Sequence, residues 1–139
     1  MRLDPDEARR RFATGRVAYL ATLRTDGTAA LVPIVFEVSG DRVVSIVDPK
    51  PKRTHKLARL RHIAREPRVA LLVDHYEDDW QLLWWARAEG EARAVSEGAE
   101  RDEALARLLA KYPQYETLDS RFGDAVIVEV KRWTGWSAT

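Results

Sequence analysis

The run RVAYLATLRTDGTAALVPIVFEV, residues 16–38, decides the fold class. Val17, Tyr19, Ala21 and Leu23 alternate with Ala18, Leu20 and Thr22, so the first part is apolar on both faces, the pattern of a buried strand. Thr25, Asp26 and Gly27 supply a hairpin turn. Residues 28–38 then predict a second strand, long and rich in β-branched side chains, interrupted by Pro33. Proline has no backbone N–H to give a ladder, so Pro33 marks a bulge, an edge or an opening. Ser39, Gly40 and Asp41 form another turn, and residues 42–47 predict a third strand antiparallel to the second. Three sequential strands make a meander.

The flanks extend this pattern. Upstream, Asp4 as N-cap, Pro5 at the first helical position and Glu7 three residues on predict a helix with a capping box, closed by Gly15. Downstream, Leu57, Leu60, Ile63 and Ala64 recur at helical spacing, and Glu66-Pro67 stops that helix. Residues 68–74 are a continuous apolar run that reads as a central strand, and residues 80–95 form a further strand or hairpin with a bulge or bend at Gly90. Residues 97–112 predict an amphipathic helix with Ala104, Leu105, Leu108 and Leu109 on one face, ended by Pro113. Residues 125–130 are the last strand, followed by a tail carrying Trp133 and Trp136. Strands joined mostly by hairpins, with few short helices, predict an antiparallel barrel in a single domain, residues 1–139.

The strongest local chemistry lies in residues 47–63. Lys50, Lys52 and Arg53 sit among Pro49, Pro51 and Thr54, so several cations are stiffened around one spot. Thr54 stands as N-cap of the following helix, whose unpaired amides attract phosphate, and Lys56 lies beside it. The whole chain lends no electrostatic help, because 23 lysines and arginines face 22 aspartates and glutamates. Affinity for an anion must therefore be local, and nucleic acid is disfavoured as a partner. There is no cysteine, hence no disulfide and no thiolate chemistry. The N-terminus lacks a signal-peptide core and no run approaches membrane-spanning length, so a cytoplasmic protein is expected.

Five tryptophans serve a core, a partner subunit or a flat aromatic ligand equally well. Trp84 and Trp85 are adjacent, so on a strand one of them faces outward. His55, His62 and His75 have no carboxylate at ligand-like spacing, and no metal site is expected. The acidic group Glu77, Asp78 and Asp79 reads as a solvated turn, and no serine stands in a nucleophile elbow. No catalytic side chain is named by these patterns.

In order and spacing these segments resemble the flavin-binding split-barrel proteins related to pyridoxamine-phosphate oxidase. The residues that carry the likeness are RVAYLAT from Arg16, Asp26-Gly27, LVPIVF from Leu31, VDPKPKRT from Val47, LRHI from Leu60, PRVA from Pro67 and VDHYEDDW from Val73. Within that family the chain is similar to the branch that uses the deazaflavin coenzyme F420 in place of FMN. The resemblance implies a six-stranded antiparallel split barrel, forming a homodimer with two cofactors in grooves between the subunits. It implies that Pro33 lines the ring through its backbone, with Val47 and Asp48 completing the slot. Lys50, Lys52 and Arg53, with Thr54, Lys56 and Arg59 close by, would hold the phosphate, and Trp80, Trp84 or Trp136 would cover the ring or substrate. The FMN enzymes' Arg-x-Val-Leu-Leu-Lys pattern is replaced by RVVSIV from Arg42, and their arginine-rich tail is missing, so vitamin B6 oxidation is not implied.

The expectation is therefore a redox enzyme passing a hydride between bound F420, or alternatively FMN, and a small unsaturated substrate. Tyr19, Tyr76 and His75 are the candidate proton donors. A split barrel that carries a flavin, deazaflavin or haem-like ligand without turnover is the competing expectation.

Overall fold

The computed structural model describes residues 1–47, 58–117 and 122–139. Seven strands form one antiparallel sheet: β1 (Ala18–Leu23), β2 (Ala29–Ile34), β3 (Glu37–Ser39), β4 (Arg42–Ile46), β5 (Arg68–His75), β6 (Trp84–Val95) and β7 (Ala125–Ser137). The helices are α1 (Pro5–Ala13), α2 (Ala58–Arg65) and α3 (Ala99–Lys111). Across the sheet the order is β2-β1-β5-β6-β7-β4-β3.

Seven strands replace the expected six because residues 28–38 do not stay one strand. They divide at Val35 and Phe36 into β2, which pairs with β1, and β3, which pairs with β4. The predicted meander is thereby broken, since β2 and β4 are not neighbours. Pro33 lies in register with Tyr19 on an edge strand, where a missing N–H is tolerated. The two edges of the sheet are consecutive in the chain. Successive Cα atoms are only about 3.8 Å apart, so the sheet curls until both edges reach a two-residue link. The ladder itself stops at β2 and at β3.

Inside the curl lies the main core. Phe12, Leu20, Phe36, Leu71, Val73, Ala86 and Trp133 pack there with Leu60 and Ile63 of α2. Ala64, expected on that stripe, is exposed. Burial along β5 alternates, with Val69, Leu71 and Val73 inward and Leu72 half-buried, so the apolar run is a two-faced strand. A second core lies on the opposite side of the sheet, where Ala104 and Leu108 of α3 cover Val44, Ile46, Ala125 and Ile127. That cover explains why β4 and the first half of β7 are buried on both faces. At its start α3 is tied down by Arg93, which bonds Glu100 at 2.7 Å and Glu129 at 3.1 Å.

Local chemistry explains the ends of elements. Asp4 caps α1 by accepting from the Glu7 N–H at 2.9 Å. Only half the predicted capping box forms, because the Glu7 carboxylate turns to Arg10 and Arg11 instead. Thr14, not Gly15, caps the helix end. The last strand runs seven residues beyond the predicted end at Val130, so Trp133 and Trp136 belong to β7 rather than to a tail.

The register of β6 against β7 shifts at Glu89 and Gly90, the bulge expected there. A Cβ on Gly90 would stand 2.0 Å from the Glu129 carbonyl oxygen and 2.9 Å from the Val130 Cα. Only a residue without a side chain allows the strands this approach. Gly90→Ala is expected to cost about 1–3 kcal/mol, since the two backbones must part. Thermal melting checks this, and an unchanged melting temperature would show that the bulge yields without cost.

Candidate functional site

The outer surface of the sheet away from α3 is a continuous array of side chains from five strands. Residues directly opposite on neighbouring strands share a face. One row is Pro33, Tyr19, Leu72, Arg87 and Thr134, running from β2 through β1, β5 and β6 to β7. Leu31, Ala21, Ala70, Glu89 and Arg132 make the next row, and Asp74, Trp85 and Trp136 a third. Leu31 is 66% exposed, Tyr19 42% and Trp136 38%. Large apolar side chains left open together on one face mark a surface built to be covered.

The polar members of this face point the same way. Arg87 lies over the Trp85 ring at 5.1 Å, and its Nε is 3.6 Å from Glu89 Oε1, too far for a hydrogen bond. Arg87 Nε, Glu89 Oε1 and Thr134 Oγ1 are all shielded from solvent without a hydrogen-bond partner among the described residues, the first two forming only a loose ion pair. Buried polar atoms of this kind ordinarily have partners. At the edge of the same face, β2 pairs on one side only, which leaves main-chain donors and acceptors near Pro33 for a planar ring with polar edges. The residues present thus fit a flat heteroaromatic group.

The foot of α2 is fixed on the neighbouring strand. His62 Nδ1 meets the buried Thr22 Oγ1 at 2.9 Å, and Arg65 donates to the Leu23 carbonyl. His62 is thus used in packing. Among the described residues no cluster of His, Asp or Glu could hold a metal ion, and no helix is long and apolar enough to cross a membrane.

Of the expected cofactor residues, Pro33 lies on the exposed outer face of β2. Val47 is only 8% exposed and belongs to the inner core; its N–H donates to the Asp124 carbonyl at 2.9 Å and its carbonyl accepts from Gly123 at 3.0 Å. Trp80 is 68% exposed and opens a short 3-10 turn, Trp80–Leu82, between β5 and β6. Its indole N–H reaches the Tyr76 hydroxyl at 3.4 Å. Asp48, Lys50, Lys52, Arg53, Thr54 and Lys56 lie outside the described residues. The adjacent tryptophans do face opposite ways: Trp84 packs against the inner core and Trp85 stands on the outer face beside Arg87. Trp133 is buried, its indole N–H donating to Asp41 at 3.1 Å.

Among the candidate proton donors, Tyr19 sits on the outer face, whereas Tyr76 is in the β5–β6 loop. His75 bonds the Glu77 carboxylate and stacks on Trp84 at 5.9 Å. Arg87 and Thr134 were not singled out in the sequence. The only signal for Arg87 is a charge alternating with alanines and tryptophans along β6.

The fold has close structural likenesses. A FAD-binding protein from Mesorhizobium loti superposes with a TM-score of 0.72 at 18% identity, over 97% of this chain and 95% of that one. A FAD binding protein from Mycobacterium smegmatis gives 0.70 at 19% identity, over 98% and 96%. A heme binding protein from the same organism gives 0.74 at 22% identity, over 96% of this chain and 57% of that one. At such identities the likeness establishes the fold. No curated protein matches the sequence. The family described as Pyridoxamine 5'-phosphate oxidase does match, over residues 4–137, from the cap of α1 to the last residue of β7, and the chain belongs to that family.

Proposed function

We propose that the chain is an F420-dependent oxidoreductase, transferring a hydride between the bound deazaflavin and a small unsaturated substrate, and that it works as a homodimer with the cofactor at the subunit interface. The observation that carries this reading is the exposed outer face, apolar and aromatic across β2, β1 and β5, with shielded polar atoms at Arg87, Glu89 and Thr134 that make no hydrogen bond among the described residues. The cofactor supplies the hydride chemistry, and the protein supplies binding, orientation and a dry slot. The free edge of β2 at Pro33 offers main-chain partners to the ring. Tyr19 and Leu72 keep water from it. Lys50, Lys52, Arg53 and Lys56, with Thr54 ahead of α2, neutralise the phosphate, and Trp80 closes over the site.

A second copy is the occupant that completes the face. A two-fold interface needs a surface complementary to itself, and neighbouring Arg87 and Glu89 provide both charges for reciprocal pairing. FMN is the alternative cofactor, consistent with the family and with the FAD-binding structures. The heme binding protein of the same fold supports a second reading, carriage of a flat ligand without turnover.

Titration with oxidised and reduced F420, and separately with FMN, tests the proposal through quenching of the five tryptophans. Saturable quenching by F420, with hydride transfer to enones or quinones and a solution mass of two chains, is expected. Binding without turnover would leave a carrier, and no saturable response to either cofactor would sink both readings.

A further inference from the structure

Phe36 belongs to neither ladder, because it sits in the two-residue link between β2 and β3. It is fully buried, so its backbone groups require protein partners. One side chain supplies them. The Tyr112 hydroxyl accepts from the Phe36 N–H at 3.2 Å and stands 3.0 Å from the carbonyls of both Phe36 and Arg16, which share its single proton. Burial pushes the Tyr112 hydroxyl pKa up, so the proton stays in place at neutral pH. The Phe36 ring is held from two further sides: it meets Phe12 edge-on at 5.0 Å and lies under the Lys111 ammonium at 3.9 Å.

We infer that Tyr112 is a positioning residue for the cofactor site: its hydroxyl fixes the junction of the two sheet edges, and so sets the path of β2 at Pro33, three residues upstream. The inference rests on the reading that the free edge of β2 lines the cofactor. Tyr112 directly follows α3, whose buried residues pack on β4 and β7.

Tyr112→Phe deletes one oxygen and keeps the ring. Leu108→Ala is the control, since Leu108 is fully buried in the α3 core and its side chain carries no polar atom to serve the Phe36 backbone, while the substitution keeps the main-chain carbonyl that accepts from Tyr112. At a temperature where all variants are folded, Tyr112→Phe is expected to weaken F420 binding about tenfold and to speed amide exchange at Phe36. Leu108→Ala should lower the melting temperature more, yet leave affinity within about twofold of the unsubstituted chain. Unchanged affinity in Tyr112→Phe, or losses in both variants that follow their melting temperatures, would overturn the inference. If the unsubstituted chain binds neither F420 nor FMN, the cofactor reading falls. Exchange at Phe36 and Ile34 then still decides whether Tyr112 holds the link: faster exchange in Tyr112→Phe supports it, and unchanged protection refutes it.

Discussion

Alanine at both Lys52 and Arg53 is expected to weaken F420 binding by about 3–6 kcal/mol, two charge-assisted contacts at about 1.5–3 kcal/mol each. That is on the order of a hundred- to ten-thousand-fold in dissociation constant. Both residues lie in a stretch that Pro49 and Pro51 stiffen, just ahead of Thr54 and the start of α2. A pre-stiffened loop loses little entropy on gathering its cations around one phosphate. Downstream, the contacts of His62 with Thr22 and of Arg65 with Leu23 fix where α2 sits on β1. The titration by tryptophan quenching measures the loss. Raising the salt should narrow the gap between the double variant and the unsubstituted chain, because exposed charges are screened. Equal affinities at low salt would make the stretch a solvated connection between β4 and α2.

The phosphate reading of Lys50, Lys52, Arg53, Thr54 and Lys56 rests on local chemistry alone, cations, prolines and a hydroxyl within a few residues, and these lie outside the described residues. The outer face is different, since Pro33, Tyr19, Leu72, Arg87 and Thr134 come together only through the registers of five strands. No window of sequence contains them. Val47 shows the reverse limit: its place at the end of a strand was readable, but its burial in the inner core depends on Gly123 and Asp124, more than seventy residues away.

The same division runs through the fold. Alternating apolar residues predicted β1, and Asp4 with Pro5 predicted the start of α1, because these signals act within a turn or two of chain. The split of residues 28–38 had Pro33 as its one local sign, and the break itself falls after it, at Val35 and Phe36, which both favour extended backbone. What divides them is pairing, with one end of the stretch claimed by β1 and the other by β4. The final turns of β7 were hidden similarly. Lys131, Arg132 and Gly135 look like a polar tail, yet Gly135 is pressed close to Leu3 and Ala8, and Trp133 is buried beneath α1.

Phe12→Ala should have the largest effect on stability, a loss of about 3–5 kcal/mol. Phe12 is fully buried and joins three parts of the molecule: its ring stands edge-on to Phe36 at 5.0 Å and to Trp133 at 5.4 Å. Through these contacts α1 is bound to the β2–β3 link and to β7 at once. Each aromatic pair adds about 0.5–1.5 kcal/mol beyond burial alone, and the cavity left behind cannot be refilled by strands that hydrogen-bond their neighbours. Against a domain stability of about 5–15 kcal/mol, the loss brings the chain toward unfolding. Denaturant titration measures it as a lower midpoint with unchanged slope. Phe12→Leu, which keeps most of the apolar volume, should lose less. A loss below about 1 kcal/mol for the alanine variant, far under the usual range for such truncations, would mean that Phe36 and Trp133 close over the gap. The junction would then be held by Tyr112 and Lys111 without help from α1.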